Sequence, residues 1–248
     1  MIHLVIDIGN TFTKIAIFNN RDIVESLVYE DFGLTELKEI TGRYSIDCSI
    51  ISSVDRDISD LEECLNTESR YLRFHAGIPT HIKNHYKTPQ TLGLDRLAAV
   101  IGARSLFPDK NSLVIDAGTC ITYDFIDSEA NYRGGSISPG LAMRFTAMNA
   151  NTERLPLIEI DPDYDLYIGT DTKTAILSGV QHGAYKEALG FIEDYNSAYS
   201  GLQVILCGGD AKFFDTRLKN SIFADSVKLE PMLVLFGLNE VIHQHNND

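Results

Sequence analysis

The sequence predicts an α/β fold made of two similar domains that face a shared cleft. Residues 4–18 combine two apolar, β-branched runs with a polar Asp-Ile-Gly-Asn-Thr turn, which indicates a β-hairpin. Residues 113–126 repeat this order around an Asp-Ala-Gly-Thr turn. The separation is too long for a solenoid and indicates a duplicated domain, each copy offering one Asp-Gly turn. We therefore expect a first domain over residues 1–110 and a second over residues 111–248.

The rest of the first domain reads as a mixed sheet with helices beside it. Apolar residues run together at 47–54, which predicts a buried strand of the parallel type. The loop at 77–92 carries two prolines and has no clear period, which is typical of functional loops. His81 and His85 lie four apart in it, but the prolines disfavour a helix, so we expect no metal site there. The other predicted elements are strands at 22–29 and 71–74 and helices at 34–41 and 58–66.

The helix predicted at 93–103 is almost entirely apolar and must be buried. Asp95 and Arg96 lie at its start. An arginine is poorly placed there with respect to the helix dipole, so a ligand role is expected for this pair. The structural alternative is that Asp95 caps the helix and Arg96 is incidental.

The second domain opens with the repeated hairpin. A Gly/Ser/Pro-rich turn is expected at 132–140, a helix at 141–150, a strand at 202–207 followed by Gly-Gly-Asp-Ala, and a closing helix at 231–243. Thr170 or Asp171 should cap the longest helix, which runs roughly to Tyr199. Gly179 and Gly183 share one side of that helix and would permit close helix contact.

Composition narrows the class of protein. The chain has 248 residues and a formal net charge of -14, which argues against non-specific binding to nucleic acid or to anionic membranes. No apolar run is long enough to span a bilayer, and the sequence starts directly with a strand. Four scattered cysteines without a CxxC pair suit a reducing cytoplasm, where we expect the protein. Walker-type, GxGxxG and GxSxG motifs are absent from the sequence.

The first hairpin carries groups that suit phosphate and metal chemistry. Asp7 lies where its strand ends, so its carboxylate can hold a divalent metal directly or through water. Asn10, Thr11 and the backbone N–H groups of the turn can bind phosphate oxygens, and Lys14 can add a point charge. The alternative for this stretch is an ordinary hairpin with a polar turn.

The two Asp-Gly turns resemble those of the actin-like ATPase and sugar kinase superfamily, in which duplicated ribonuclease-H-like domains clamp the phosphate tail of a nucleotide. The full ordered set of motifs is similar to that of type III pantothenate kinases and covers residues 2–237. That set is Asp7-x-Gly-Asn-Thr, Gly93-x-Asp-Arg96, Asp116-x-Gly-Thr119, Gly134-Gly-x-Ile-x-Pro-Gly140 and Gly208-Gly-Asp-Ala211.

The resemblance implies an ATP-dependent kinase that converts pantothenate to 4′-phosphopantothenate, the first step of coenzyme A biosynthesis. The residues implied to bind ATP and its phosphates are Asp7, Gly9, Asn10, Thr11, Lys14 and Thr119. The residues implied to bind substrate are Tyr86, Gly93, Leu94, Asp95, Arg96 and Thr172. A nucleotide-binding accessory transcriptional regulator and a phosphohydrolase of the same superfamily remain alternatives.

Individual roles also follow from the resemblance. Asp95 matches the catalytic base, Asp7 the site of Mg²⁺, and Asp116 the ligand of K⁺ or NH₄⁺. Thr172 matches a substrate contact that crosses a homodimer interface. The residue before it is usually Asn in the family and is Asp171 here, which adds a negative charge beside Thr172.

Overall fold

The computed structural model describes residues 1–53 and 57–246 and divides the chain into two compact units. Unit 1 comprises residues 1–108 and 130–132 and the chain from 232 onward, and unit 2 comprises residues 109–129 and 133–231. The strands are β1 (Ile2–Ile8), β2 (Thr13–Asn19), β3 (Asp22–Tyr29), β4 (Cys48–Ser53), β5 (Arg70–Arg73), β6 (Lys83–Asn84), β7 (Ser112–Ala117), β8 (Cys120–Ile126), β9 (Asn131–Pro139), β10 (Gln203–Cys207) and β11 (Val227–Leu229). The α-helices are α1 (Leu34–Arg43), α2 (Ser59–Glu68), α3 (Leu94–Leu106), α4 (Leu141–Ala150), α5 (Thr172–Leu177), α6 (Gly183–Ala198), α7 (Ala211–Leu218) and α8 (Leu233–Asn246).

Unit 1 is built on a sheet of strand order β3-β2-β1-β4-β5. The first three strands are antiparallel, and β4 and β5 run parallel to β1. β1 and β4 are buried along most of their length, whereas β3 alternates between exposed and half-buried residues, as expected of an edge strand. The predicted strands and helices of this unit are confirmed. The last residue of the strand predicted at 47–54, Val54, lies outside the described residues.

The C-terminal helix α8 packs on α3 in unit 1. The two backbones approach so closely that a Cβ added at Gly237 would overlap the carbonyl oxygen of Ala98. Gly102, on α3, lies against the carbonyl oxygen of Leu233 in the same way. The sequence prediction assigned this helix to the second domain, because it follows that domain in the chain. The structure instead places its Gly237 against α3 of unit 1.

Unit 2 contains strands in the order β11-β10-β7-β8-β9. β7 and β8 form the second antiparallel hairpin, and β10 and β11 extend it with parallel pairing. The turn predicted at 132–140 is wrong, because these residues belong to strand β9. A neighbouring strand supplies backbone hydrogen bonds to a segment whose composition is turn-like, so pairing overrides local preference.

The longest predicted helix exists but is interrupted. It consists of α5, a π-helical turn at Ser178–His182, and α6. Gly179 and Gly183 are exposed, and a Cβ at either would meet no atom within 4 Å among the described residues. The close helix contact expected there is therefore not made within the described chain. None of the helices described here is long and apolar enough to cross a membrane.

Candidate active site

The first Asp-Gly turn lies at the end of the β1–β2 hairpin. In the register of that hairpin, Asp7 stands directly opposite Lys14. The turn at 9–12 is exposed and is closed by the N–H of Gly9, which donates to the carbonyl oxygen of Phe12 at 3.1 Å. Asn10 and Thr11 are therefore exposed to solvent, while the Gly9 N–H is used in a hydrogen bond within the turn. Of the amides expected to bind phosphate, that of Gly9 is already engaged.

The start of α3 presents Asp95 to solvent. Gly93 stands at the N-cap position, and Asp95 lies in the first helical turn with its Oδ1 accepting a hydrogen bond from the N–H of Arg96 at 2.8 Å. Gly93, and not Asp95, therefore occupies the N-cap position, but the Asp95 side chain accepts the N–H of Arg96, which has no acceptor within the helix. A Cβ at residue 93 would lie 2.5 Å from Asp95 Oδ1, so the carboxylate can take this position only because residue 93 is glycine.

Two further predicted substrate residues lie beside this helix start. The guanidinium carbon of Arg96 is 5.6 Å from the centre of the Tyr86 ring, within the range of a cation–π contact. Arg96 is 6% exposed, so its charged side chain is buried. Tyr86 in turn stacks on Tyr132, a residue that no sequence motif had marked as functional. Unit 1 thus brings together Tyr86, Arg96 and the N-terminal turn of α3.

The second Asp-Gly turn, in unit 2, is closely supported by its neighbours. Asp116 lies near the end of β7, and the backbone of Gly208 packs on it, because a Cβ there would overlap Asp116 Oδ1 and the carbonyl oxygen of Ala117. Gly208 has a φ of +91°, which a side chain rarely tolerates. The N–H of Asp210 donates to the Ala117 carbonyl at 2.8 Å. Burial raises the pKa of the Asp210 carboxyl above its ordinary value.

The segment before α4 supports the same turn from another element. The N–H of Gly140 donates to the carbonyl oxygen of Thr119 at 3.1 Å. Arg144 holds this segment by donating to the Pro139 carbonyl at 2.8 Å, and it also forms an ion pair with Glu187 at 2.7 Å. Burial alone would raise the pKa of Glu187, but hydrogen bonds from side chains including Arg144 lower it. Sequence reasoning missed this ion pair because its two residues lie on different helices.

Thr172 is the first residue of α5, and its position is set by the cap before it. Asp171 Oδ1 accepts a hydrogen bond from the N–H of Thr174 at 2.8 Å, and the hydroxyl of Thr174 accepts one from the N–H of Asp171. The first of these bonds lowers the pKa of Asp171. Asp and Asn are comparable N-caps, so this geometry accounts for either residue before Thr172.

The carboxylates of the two turns suit Mg²⁺ or another hard cation, but within the part of the chain that the structure describes they do not form a site made of several protein ligands. No group of three or more His, Cys, Asp or Glu side chains that could hold a metal occurs among the described residues. Mg²⁺ in phosphate-transfer sites uses one or two carboxylates together with phosphates and water, so Asp7 fits it without such a cluster. Asp116 is partly buried beside the closely packed Gly208 backbone, and its oxygen suits a hard cation.

Comparison with solved structures supports the fold. A protein from Campylobacter jejuni assigned to the Baf family of transcriptional activators gives a TM-score of 0.61 at 20% identity and covers 99% of this chain and 100% of its own. A Listeria monocytogenes protein assigned as an N-acetylmannosamine kinase gives 0.59 at 14% identity and covers 100% of both chains. The activator of 2-hydroxyisocaproyl-CoA dehydratase from Clostridium difficile gives 0.56 at 14% identity and covers 100% of this chain and 98% of its own. The predicted fold class, with duplicated ribonuclease-H-like domains, is confirmed.

Sequence comparison is more specific. Residues 3–194 match the family model described as type III pantothenate kinase. The chain is 42% identical to a type III pantothenate kinase of Bacteroides fragilis, with 98% of each chain covered, and 43% identical to one of Phocaeicola vulgatus, with 97% of each covered. One of Flavobacterium johnsoniae is 42% identical, with 90% of this chain and 92% of the relative covered. The ordered turns, the Asp95 helix start and these full-length similarities lead to one conclusion: the chain belongs to the type III pantothenate kinase family.

Proposed function

We propose that this protein is a kinase that transfers the γ-phosphoryl group of ATP to pantothenate and yields 4′-phosphopantothenate, the first step of coenzyme A biosynthesis. The observation that carries the proposal is the exposed Asp95 carboxylate at the start of α3, with Gly93 leaving it room and Arg96 and Tyr86 beside it. Asp95 Oδ1 accepts one backbone N–H of the helix start, and the exposure of the residue supports a further role as proton acceptor. Family membership supports pantothenate as the substrate, and this geometry supports Asp95 as the residue that acts on it.

Asp95 accepts the proton of the primary hydroxyl of pantothenate as that oxygen attacks the γ-phosphorus. The new O–P bond forms while the bond to the leaving ADP oxygen breaks, so the protein has mainly to position groups and neutralise charge. Gly93, Leu94, Arg96 and Tyr86 bind the acceptor around this carboxylate. The ATP and phosphate contacts are assigned to Asp7, Gly9, Asn10, Thr11, Lys14 and Thr119. Gly9 would make its contact through its Cα atom, because its N–H is bonded within the turn.

The cation assignments form a second part of the proposal. Mg²⁺ is assigned to Asp7, directly or through water, and K⁺ or NH₄⁺ to Asp116. When bound, these ions neutralise phosphate charge that would otherwise oppose transfer. Lys14, opposite Asp7 in the hairpin, adds a fixed positive charge from the chain itself.

A homodimer whose substrate site includes Thr172 of the partner subunit is also proposed. The segment that leads to α5 exposes large apolar side chains, with Leu166 59%, Tyr167 72% and Ile168 64% exposed. Exposed apolar side chains this close together suit a protein surface that another chain covers. Thr172 lies four residues after Ile168 and is exposed as well.

We propose a cytoplasmic location because the four cysteines are unpaired. None of them forms a disulfide, and all lie within the described residues. Unpaired thiols of this kind suit a reducing compartment, where pantothenate and ATP are also available to a kinase.

The test is an assay of ADP formation from ATP with and without pantothenate, together with mass analysis of the product. A kinase forms ADP only when pantothenate is present and adds one phosphoryl group to it. A phosphohydrolase forms ADP or phosphate equally well without pantothenate. A regulator binds nucleotide without turnover, and either of these two results would overturn the proposal.

A further inference from the structure

We propose that Asn131 and Tyr132, at the start of β9, are positioning residues that hold the loop carrying Tyr86 and thereby set the affinity for pantothenate. The proposal rests on the proposed function of the Tyr86 site, and it adds two residues that the sequence motifs do not include. Residues 130–132 form a short piece of unit 1 inside a stretch of chain that otherwise belongs to unit 2.

Backbone hydrogen bonds tie the loop to this piece. The N–H of Lys83 donates to the carbonyl oxygen of Ala130 at 2.8 Å, and the N–H of His85 donates to that of Tyr132 at 3.0 Å. They form the parallel pairing of β6 with the first residues of β9. Because β6 is only two residues long, this pairing depends on its partner strand.

Side chains add two more contacts at the same place. His85 Nε2 lies 3.0 Å from Asn131 Oδ1, and since an amide oxygen only accepts, the imidazole N–H donates. The rings of Tyr86 and Tyr132 lie 5° from parallel with centroids 6.3 Å apart, which is an offset stack. Tyr132 is fully buried and Asn131 is 6% exposed, so both are fixed, while His85 is exposed and Tyr86 is half-buried. We infer that the buried pair, Asn131 and Tyr132, orients the more exposed pair, His85 and Tyr86.

This arrangement separates binding from chemistry. The loop at 77–92 contains little regular structure besides β6 and a single 3-10 turn at Pro89–Thr91, so its order depends on such contacts. Asp95 lies on α3, which α8 holds independently through the close contact at Gly237. Loosening the loop should therefore raise the KM for pantothenate, because the bound conformation must then be ordered at each binding event. It should change kcat and the KM for ATP much less.

The experiment compares two pairs of variants. Tyr132→Leu removes the ring, and its control Tyr132→Phe keeps it. His85→Ala removes the hydrogen bond to Asn131, and its control His81→Ala removes an exposed histidine of the same loop whose side chain lies outside this cluster. For each variant we would measure kcat, both KM values, the melting temperature, and hydrogen exchange of the peptide that covers 79–92.

We expect Tyr132→Leu to raise the KM for pantothenate about tenfold and to speed exchange of that peptide, with the KM for ATP within about twofold of wild type. His85→Ala should do the same to a smaller extent, while both controls keep the pantothenate KM and the loop exchange near wild type. His85 is exposed, so its variant tests the proposal even if Tyr132→Leu fails to fold. Unchanged pantothenate KM and unchanged loop exchange in folded Tyr132→Leu or His85→Ala would overturn the positioning role and leave the kinase proposal standing. If the wild type itself does not phosphorylate pantothenate, the proposed function fails, and faster exchange in the variants alone would show that the loop is held as described.

Discussion

The two Asp-Gly turns have nearly the same sequence pattern and very different surroundings. In unit 1 the turn at 9–12 is exposed and closes on its own backbone through Gly9 and Phe12. In unit 2 the turn at 118–119 is shorter. Gly140 packs on the turn itself, and Gly208 packs on Asp116 and Ala117 just before it. The duplicated motif therefore places a carboxylate at the end of a strand in each unit. The contacts that hold the turn differ between the two units.

The difference suggests a division of roles. An exposed turn can adapt to a hydrated divalent ion and a phosphate chain, because Mg²⁺ keeps much of its water. A carboxylate such as Asp116, held against a rigid backbone, suits a site for a bare cation of fixed size. Unit 1 also carries the Asp95 helix start, so the proposed function places the chemical step in unit 1 and electrostatic support in unit 2.

The strongest test of this division is Asp95→Asn, which keeps the size of the side chain and removes the base. We expect kcat to fall by roughly 10²–10⁴, the usual contribution of acid–base catalysis, with ATP affinity nearly unchanged. Asp60→Asn is the matched control, since Asp60 is likewise exposed in the first turn of a helix in unit 1. A folded Asp95→Asn protein that turns over pantothenate at the wild-type rate would remove Asp95 from the mechanism.

A second test asks whether unit 1 of one chain works with unit 2 of another. Asp95→Asn and Thr172→Tyr proteins should each be inactive, and mixing them should restore activity to at most about a quarter of wild type, because a heterodimer keeps one intact site. Recovery is measured as pantothenate-dependent ADP formation after subunit exchange. A fully active monomer, seen by light scattering at the assay concentration, would contradict the shared site.

The third test separates the two carboxylates by the ion that each needs. Asp7→Asn should raise the Mg²⁺ concentration for half-maximal activity about 10- to 100-fold and leave the K⁺ requirement unchanged. Asp116→Asn should do the reverse. Titrations of each ion at saturating levels of the other give both values. Full wild-type activity in K⁺-free Na⁺ buffer would rule out Asp116 as the ligand of an essential K⁺.

The fourth test concerns the support of the second turn. Gly208→Ala should lower the free energy of unfolding by about 1–3 kcal/mol, because its φ of +91° is strained for alanine and its Cβ would overlap Asp116. Gly209→Ala is the control on stability, since a Cβ there meets no described atom within 4 Å. Denaturant unfolding measures both. Equal stability of the two variants would show that the Gly208 contact is not needed.

The smallest expected effect is a pH dependence confined to unit 1. His3 is fully buried on β1, its Nδ1 contacts Asn239 at 2.8 Å, and its Nε2 has no hydrogen-bond partner among the described residues. Burial lowers the pKa of His3 below its ordinary 6.5, a shift that the Asn239 bond opposes and nearby His243 assists. Below pH 6.5 the unfolded chain therefore binds more protons than the folded one.

Stability should thus be complete above about pH 6.5 and decline below it, by at most about 1.4 kcal/mol per pH unit for this one group. His3→Gln should reduce that slope, and His81→Gln, at an exposed histidine, should not. Hydrogen exchange of β1 and β7 between pH 5 and 7 localises the effect. Equal acid sensitivity of both strands, or an unchanged slope in His3→Gln, would contradict a role confined to unit 1.

Local pattern was sufficient wherever the signal lay within a few neighbouring residues. Both hairpins, the buried strand at 48–53, the apolar helix α3 and the Asp-Gly turns follow from hydrophobic period and turn chemistry. The prediction at 132–140 was wrong because strand pairing with distant residues outweighed its Gly, Ser and Pro content. The choice between Thr170 and Asp171 as helix cap likewise depended on side-chain geometry.

The sequence by itself determined the α/β class, the duplicated turns and the residue types of the site, because these depend on periodicity and on the chemistry of single side chains. Only the tertiary structure decided that Gly208 packs on Asp116, that α8 packs on α3, and that Tyr132 stacks on Tyr86. Each of these is a contact between residues far apart in the chain. Such contacts depend on shape complementarity and on how chain segments pack, which local composition does not encode.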